Sequence, residues 1–250
     1  MRLWLDSRRI DIATRVDWHQ RQLLLKARMP LAVRSHEAVY ETMYGVVRRP
    51  THRNTSWDAA KFEVTGHRFA DISETSYGVA LLNDAKYGYE AHGNILSLTL
   101  LRSPLFPDPL ADEGAHHFTY SLYPHRGDWT VSGVTEEGVP AEQSVDRPPG
   151  GFAAGGAGVC RDLRSGRGLG ALKPAFDGDG YILRIYEPHG ARGRTRLTFA
   201  SVLSSFSIVN LLEETDTTKD TVAQIDPITL EIDLNPFEIM TLRLNFAPGS

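Results

Sequence analysis

The chain has 250 residues, of which 27 are Lys or Arg and 31 are Asp or Glu, so its formal net charge at pH 7 is −4. This near balance excludes the strongly basic surface that proteins use to bind nucleic acid or anionic membranes. The single Cys excludes an intramolecular disulfide, and with it the disulfide-built class of secreted domains. Hydrophobic residues make up 41% of the chain, which is enough to build a folded core.

The N-terminal region enters a strand pattern almost at once. Residues 1–9 hold no apolar stretch of signal-peptide length, and no later segment reaches the ~18–20 apolar residues of a membrane span. From Ile10 to Trp18 the even positions are mostly apolar and the odd positions are mostly polar, which indicates a strand with one buried face. We therefore expect a cytoplasmic protein without a membrane partner, and a chain that is a fragment of a longer polypeptide.

The same period-two pattern recurs along the rest of the chain. It occupies residues 23–29, 96–100, 117–122, 228–234 and 240–246, and Asn, Asp, Gly and Pro form turn signals between the runs. Short alternating strands separated by polar turns are typical of antiparallel sandwiches. The best helix candidate, residues 135–145, is interrupted by Gly138 and Pro140. The sequence therefore predicts an all-β fold.

A shift in composition divides the chain. Residues 148–170 contain eight glycines and few large apolar side chains, so they are predicted to form a loop or linker, and regular strands are expected to resume at Tyr181. We predict a first β domain over residues 1–176 and a smaller one over residues 177–250.

A dense polar and aromatic segment, residues 48–58, is the first candidate binding surface. Here His52, Arg53 and Asn54 can pair with sugar hydroxyls, while Trp57 offers a flat apolar face for a sugar ring. The alternative is a polar loop that docks one domain on another, with Arg53 and Asp58 in ion pairs.

The second candidate surface is the tight turn at the end of residues 86–94. The glycines and Asn94 are expected to lift Tyr89, Glu90 and His92 away from the sheet. The following strand ends at Arg102, whose planar guanidinium can donate to ligand oxygens. The alternative interpretation is an ordinary hairpin with exposed polar residues.

The sequence offers no catalytic or metal-ligating set. Adjacent strand residues point to opposite faces, so His116 and His117 do not ligate one ion together with His125. The run Asp177–Gly180 begins like a calcium loop but lacks the acidic residue at the far end. No nucleophile and base pair stands out, so we assign no catalytic residue and no metal ligand.

Four long tracts resemble glycoside hydrolase family 38, the α-mannosidases, and in particular their cytosolic and bacterial type. The tracts are residues 44–58 (YGVVRRPTHRNTSWD), 77–94 (YGVALLNDAKYGYEAHGN), 117–125 (HFTYSLYPH) and 177–190 (DGDGYILRIYEPHG). They occur in family order and extend the resemblance to nearly the whole chain, except for the glycine-rich residues 148–169.

The resemblance implies a position within the family's architecture. Family members place the catalytic Asp, the acid/base and the divalent-metal ligands in an N-terminal β/α-barrel, and this chain resembles only the C-terminal part. It implies the end of a large antiparallel supersandwich, galactose-mutarotase-like, followed by a small β-sandwich. It also implies retaining hydrolysis of α-mannosides with zinc or cobalt in the full-length enzyme, while this chain holds no cofactor and is inactive alone.

The resemblance also ranks the candidate residues. In relatives an Arg of the β domain contacts the active site, and Arg102 is the matching candidate for substrate binding. The next candidates for facing the catalytic domain or substrate are His52, Arg53, Asn54, Trp57, His92 and Asn94.

Three functional hypotheses follow from these observations. In the first, the chain supports the sugar site of an N-terminal catalytic domain of the same polypeptide. The others are an independent carbohydrate-binding module and a structural or oligomerisation platform. Because missing strands expose a sheet edge, we also expect self-association.

Overall fold

The computed structural model describes residues 1–138, 152–154, 157–160, 162–163 and 168–247, with the backbone alone described for the strands between 152 and 163. The chain divides into two compact units, Met1–Pro140 and Ala141–Ser250. Every strand pairing in the described ranges is antiparallel, which confirms the predicted all-β fold. The helices of these ranges have four residues each, and none approaches the length that crosses a bilayer.

The described residues of the first unit form eleven strands and two short helices. In chain order they are β1 (Arg2–Leu3), β2 (Ile10–Trp18), β3 (Leu25–Pro30), β4 (Glu37–Thr42), β5 (Gly45–Pro50), α1 (Ser56–Ala59), β6 (Val64–Thr65), β7 (Phe69–Ser73), β8 (Tyr77–Asn83), β9 (Gly88–His92), β10 (Ile95–Leu101), β11 (Gly114–Arg126) and α2 (Val134–Glu137). A seven-stranded sheet has the order β1-β2-β11-β8-β7-β4-β5, and a four-stranded sheet has the order β3-β10-β9-β6.

The main core of this unit lies between the two sheets. Alternate residues of β10 (Leu96, Leu98 and Leu100) meet β4, β7 and β8 residues such as Tyr40 and Ile72. This is the half-buried pattern that the alternation of β10 predicts.

The other face of the seven-stranded sheet is covered as well. Val39, Phe69 and Leu82 pack there against Trp129 and Val134, the first residue of α2. Because both faces of β7 and β8 are buried, these strands are apolar almost throughout, and so the period-two pattern does not mark them. Helix α2 covers the beginning of the predicted helix at 135–145, of which residues 139–145 lie outside the described residues.

The second unit contains ten described strands. They are β12 (Phe152–Ala154), β13 (Ala157–Cys160), β14 (Asp162–Leu163), β15 (Gly168–Pro174), β16 (Tyr181–Tyr186), β17 (Gly193–Thr198), β18 (Leu203–Val209), β19 (Val222–Asp226), β20 (Thr229–Leu234) and β21 (Ile239–Phe246). Two four-stranded sheets, β14-β17-β20-β19 and β15-β16-β21-β18, enclose a core of residues such as Ile185, Leu197, Ile232 and Leu242. Strands β12 and β13 pair separately.

The glycine-rich stretch contains strands, so the prediction that it is only a loop or linker was wrong. Gly168 shows why glycine belongs in β15: it pairs with Tyr186, and an added Cβ would lie 2.0 Å from that ring. Because glycine has no side chain, there is room for the Tyr186 ring, while the backbone of Gly168 still pairs with β16. The boundary predicted at 176/177 falls in the turn between the paired strands β15 and β16.

Candidate functional site

The predicted site residues lie at two ends of strand β10. Asn94 directly precedes β10 and Arg102 directly follows it, while His92 ends the neighbouring strand β9. A strand advances about 3.3 Å per residue, so Asn94 and Arg102 are roughly 25 Å apart. The structure therefore brings His92 and Asn94 together in one turn and separates them from Arg102. The expectation that Tyr89 is lifted off the sheet was wrong, because Tyr89 lies within β9 and its side chain is fully buried in the core.

The segment that follows β10, residues 102–113, is here named the Arg102 loop. Asp112 joins the two ends of this loop. Its Oδ2 accepts hydrogen bonds from the backbone N–H groups of Arg102 and Ser103 at 2.8 and 3.0 Å. These two donors lower the pKa of Asp112 below its usual value, since they stabilise the carboxylate. Ser103 (φ 48°) and Asp112 (φ 64°) both adopt the left-handed conformation that side chains disfavour. Such conformations persist where surrounding contacts enforce them.

Neighbouring strands supply those contacts. The Trp18 indole N–H donates to Oγ of Ser103, which is only 2% exposed, and the Gln22 N–H donates to the Ser103 carbonyl at 2.9 Å. On the other side, Nε2 of His116 lies 2.8 Å from the Asp112 carbonyl oxygen. The ends of β2 and β11 thus hold the Arg102 loop from both sides.

The Arg102 side chain is left free by this arrangement. It is exposed and forms no ion pair or hydrogen bond with the residues that the structure describes. Exposed apolar side chains, Leu105, Phe106 and Leu110, follow it in the loop. A rigid backbone therefore presents five guanidinium N–H donors beside an apolar surface, an arrangement that can bind oxygen-rich ligands.

The remaining candidates, His52, Arg53, Asn54 and Trp57, form what is here named the Trp57 surface. Its base is fixed by Thr51, which donates from its N–H to the His36 carbonyl at 3.0 Å and from Oγ1 to the Ser35 carbonyl at 2.6 Å. The Gly93 N–H donates to the Thr51 carbonyl at 2.8 Å, so the turn between His92 and Asn94 is bonded to this surface.

Helix α1 exposes the side chain of Trp57 to solvent. Thr55 caps the helix: its Oγ1 accepts from the Asp58 N–H at 3.1 Å and donates to Asp58 Oδ2 at 2.8 Å. The Trp57 side chain is 80% exposed. The capped helix therefore holds the Trp57 indole at the surface, where its apolar face is accessible to a ligand.

Charged groups beside Trp57 are paired with one another. Arg53 donates to Oε1 of Glu90 at 2.7 Å, and Lys26 donates to Oε2 of the same carboxylate at 2.6 Å. Burial opposes ionisation of Glu90, but the hydrogen bond from Lys26 and the nearby cations outweigh it and lower the pKa of Glu90. Nδ1 of His52 lies 3.9 Å from Oδ2 of Asp58. The ion pairs expected in the alternative interpretation are therefore present, alongside the exposed indole.

A cleft of about 750 Å³ adjoins this surface. Its lining includes residues 31–36 together with Thr51, His52, Glu74, Gly93 and Asn94. The volume is in the range of small-molecule sites.

Sequence reasoning missed the residues that fasten the Arg102 loop. Trp18, Ser103 and Asp112 are ordinary strand and turn residues in the sequence, and only their meeting in space makes them a clamp. Among the described residues no group of three or more His, Cys, Asp or Glu side chains is arranged to hold a metal ion. In the Asp177–Gly180 turn, Asp177 pairs with Arg243, and Asp179 accepts from Asn245 at 3.0 Å.

Two family models match the chain. The model of the glycosyl hydrolases family 38 C-terminal domain matches residues 1–110, and that of the family 38 C-terminal beta sandwich domain matches residues 168–242. This chain belongs to glycoside hydrolase family 38. The matched models are those of C-terminal domains, which confirms the family and the region that the four tracts resemble.

Relatives of this family 38 chain include proteins from several eukaryotes. It is 38% identical to "Alpha-mannosidase G" of Dictyostelium discoideum over 248 residues, 37% identical to human "Alpha-mannosidase 2C1" over 244 residues, and 36% identical to "Alpha-mannosidase" of Saccharomyces cerevisiae over 260 residues. These alignments cover 94–95% of the chain but only 22–24% of the relatives. The chain thus spans under a quarter of the length of the curated relatives it matches.

Solved structures share the fold. A family 38 protein from Enterococcus faecalis superposes with a TM-score of 0.74 at 18% identity, covering 95% of this chain and 28% of the other. An α-mannosidase from E. faecalis V583 gives a TM-score of 0.72 at 19% identity, covering 95% of this chain and 27% of the other.

Proposed function

We propose that this chain is the C-terminal β region of a retaining α-mannosidase, and that its Arg102 loop completes the sugar site of an N-terminal catalytic domain. The observation that carries the proposal is the Arg102 guanidinium, exposed and unpaired within the described residues on a clamped backbone. The named relatives support α-mannosides as the substrate class. We further propose that the protein acts in the cytoplasm and that mannose metabolism is its setting.

Arg102 has a defined chemical task in this proposal. A mannoside is uncharged and rich in hydroxyl groups, and a guanidinium donates to such oxygens without changing its charge near neutral pH. Because Ser103 and Asp112 hold the backbone, only the Arg102 side chain has to be ordered when substrate binds. The residue orients the sugar and takes no part in proton transfer.

We propose that the N-terminal domain cleaves the glycosidic bond. The divalent ion implied by the resemblance, zinc or cobalt, finds no fitting ligand set among the described residues. We propose that the ion binds in the catalytic domain. By the same proposal the 250-residue chain does not hydrolyse α-mannosides alone.

Substituting Arg102→Ala in the full-length enzyme tests the proposal. We expect kcat/KM for an aryl α-mannoside to fall roughly 10- to 100-fold, the value of one or two charge-assisted hydrogen bonds. Arg102→Lys keeps the charge but loses the planar fork, so its loss should be intermediate. Arg126→Ala, another exposed arginine of the first unit, is the matched control and should stay within twofold of wild type.

One result would contradict a role of Arg102 in substrate binding. If Arg102→Ala lowers stability but leaves turnover per folded molecule unchanged, the β region is a packing and oligomerisation platform. The isolated chain is assayed separately with zinc or cobalt against a protein-free blank, and metal-dependent turnover above that blank would place catalysis within it.

A further inference from the structure

The cleft beside the Trp57 surface is too far from Arg102 for one sugar ring to contact both. Asn94, which lines this cleft together with His52, lies about 25 Å from Arg102 along β10. A pyranose ring is only about 5 Å across, close to the spacing of two neighbouring strands. A sugar bound at the mouth of the cleft is therefore bound independently of the Arg102 loop.

The surface has the shape of an aromatic platform with polar edges. The Trp57 indole is exposed on a capped turn, and Asn54, one residue before the cap, forms no hydrogen bond to any described residue. An amide presents both donors and an acceptor. An apolar face next to a free amide matches a sugar ring, whose C–H face is apolar and whose rim carries hydroxyls.

Most of the charged groups at this surface pair with one another. The Arg53 guanidinium and the Lys26 ammonium both bond to the carboxylate of Glu90, and Nζ of Lys26 also lies 2.9 Å from Oε1 of Glu63. These four side chains carry two positive and two negative charges, so their sum is zero. Lys61, two residues after α1, is exposed and forms no ion pair within the described residues, so the choice of a neutral ligand rests on the proposed function.

We propose that the Trp57 surface binds a mannosyl residue of a neutral glycan, as a second site separate from the Arg102 loop. Trp57 stacks on the ring, while Asn54 and His52 bond its hydroxyls at the mouth of the 750 Å³ cleft. The choice of mannose rests on the proposed function, whereas the location rests on the geometry alone.

Calorimetric titration of the 250-residue chain with α-linked mannobiose tests this inference. We expect binding that weakens at least tenfold in Trp57→Ala. Asn54→Ala should also weaken binding, and because both side chains are exposed, neither change disturbs the core. Phe176→Ala, which removes an exposed aromatic ring from the second unit, is the matched control and should bind like wild type.

Several outcomes would overturn the inference. Absence of mannobiose binding, or binding lost in Arg102→Ala and kept in Trp57→Ala, would do so while leaving the proposed function intact. Trp57-dependent binding of cellobiose in place of mannobiose would overturn the choice of mannose and count against the proposed function too. The difference in acrylamide quenching between wild type and Trp57→Ala reports on Trp57 alone. If that difference is present in the isolated chain but absent in the full-length enzyme, the catalytic domain covers this surface and the second site does not exist.

Discussion

At the scale of single residues, two polar side chains of the family tracts support the fold and do not face a ligand. His125 and Asp71 are fully buried, with Nε2 and Oδ2 2.7 Å apart, and they join β11 to β7. Glu187 is also fully buried and accepts backbone N–H groups of His189, Gly190, Ala191 and Phe237. A buried carboxylate is tolerated only when its hydrogen bonds are made, and the donors around Asp71 and Glu187 meet this condition.

Gly78 gives a test of the buried His125 pair. An added Cβ would lie 2.4 Å from His125 Cε1 and 2.6 Å from Ser73 Oγ, so Gly78→Ala forces the imidazole away from Asp71. We expect a loss of about 1–3 kcal/mol in the free energy of unfolding, measured by urea denaturation. Gly88→Ala is the control, since its Cβ approaches Thr99 Cβ only to 3.2 Å. Equal losses in the two variants would show that the pair is not displaced.

At the scale of elements, the Arg102 loop depends on one carboxylate. Asp112 accepts two backbone donors and is itself in the left-handed conformation, which Asn adopts as readily as Asp. Asp112→Asn therefore removes the charge and leaves the backbone preference unchanged. The variant isolates the electrostatic part of the clamp.

The pH dependence of this clamp has a defined sign. Because the pKa of Asp112 is lowered in the folded state, its stabilisation is present above the unfolded value of about 3.9 and is lost as pH falls through the folded value. Asp112→Asn should be less stable than wild type by about 1 kcal/mol at neutral pH, after allowance for solvent screening. Urea unfolding at pH 7 and near pH 3 should show this difference shrinking in acid. A difference that is the same at both pH values would contradict a charged clamp.

At the scale of the whole molecule, the seven-stranded sheet has an open edge. Strand β1 pairs only with Ile10 and Asp11 of β2, and the rest of β2 has no partner on its outer side within the described residues. Exposed Leu3 and Leu5 lie beside this edge in the sequence. Unpaired edges with apolar neighbours are templates for pairing with another chain.

Self-association therefore remains a prediction for the 250-residue chain. Sedimentation at tens of micromolar should show a dimer or larger species, and Ala13→Lys on the exposed side of β2 should weaken it several-fold, because edge lysines oppose strand pairing. Ala223→Lys, on the edge strand β19 of the second unit, is the matched control and should have no effect. A monomeric wild-type chain at these concentrations would refute the prediction.

The sequence by itself determined the all-β fold, the six alternating strands and the place of Arg102 at a strand end. Alternation is a local property, because successive strand side chains point to opposite faces. Only the tertiary structure decided that β15 is a strand, that Asp112 clamps Arg102, and that Arg53 pairs with Glu90. These features depend on which distant strands pair: Gly168 fits under Tyr186, and Asp112 reaches Ser103, only once the sheets have formed.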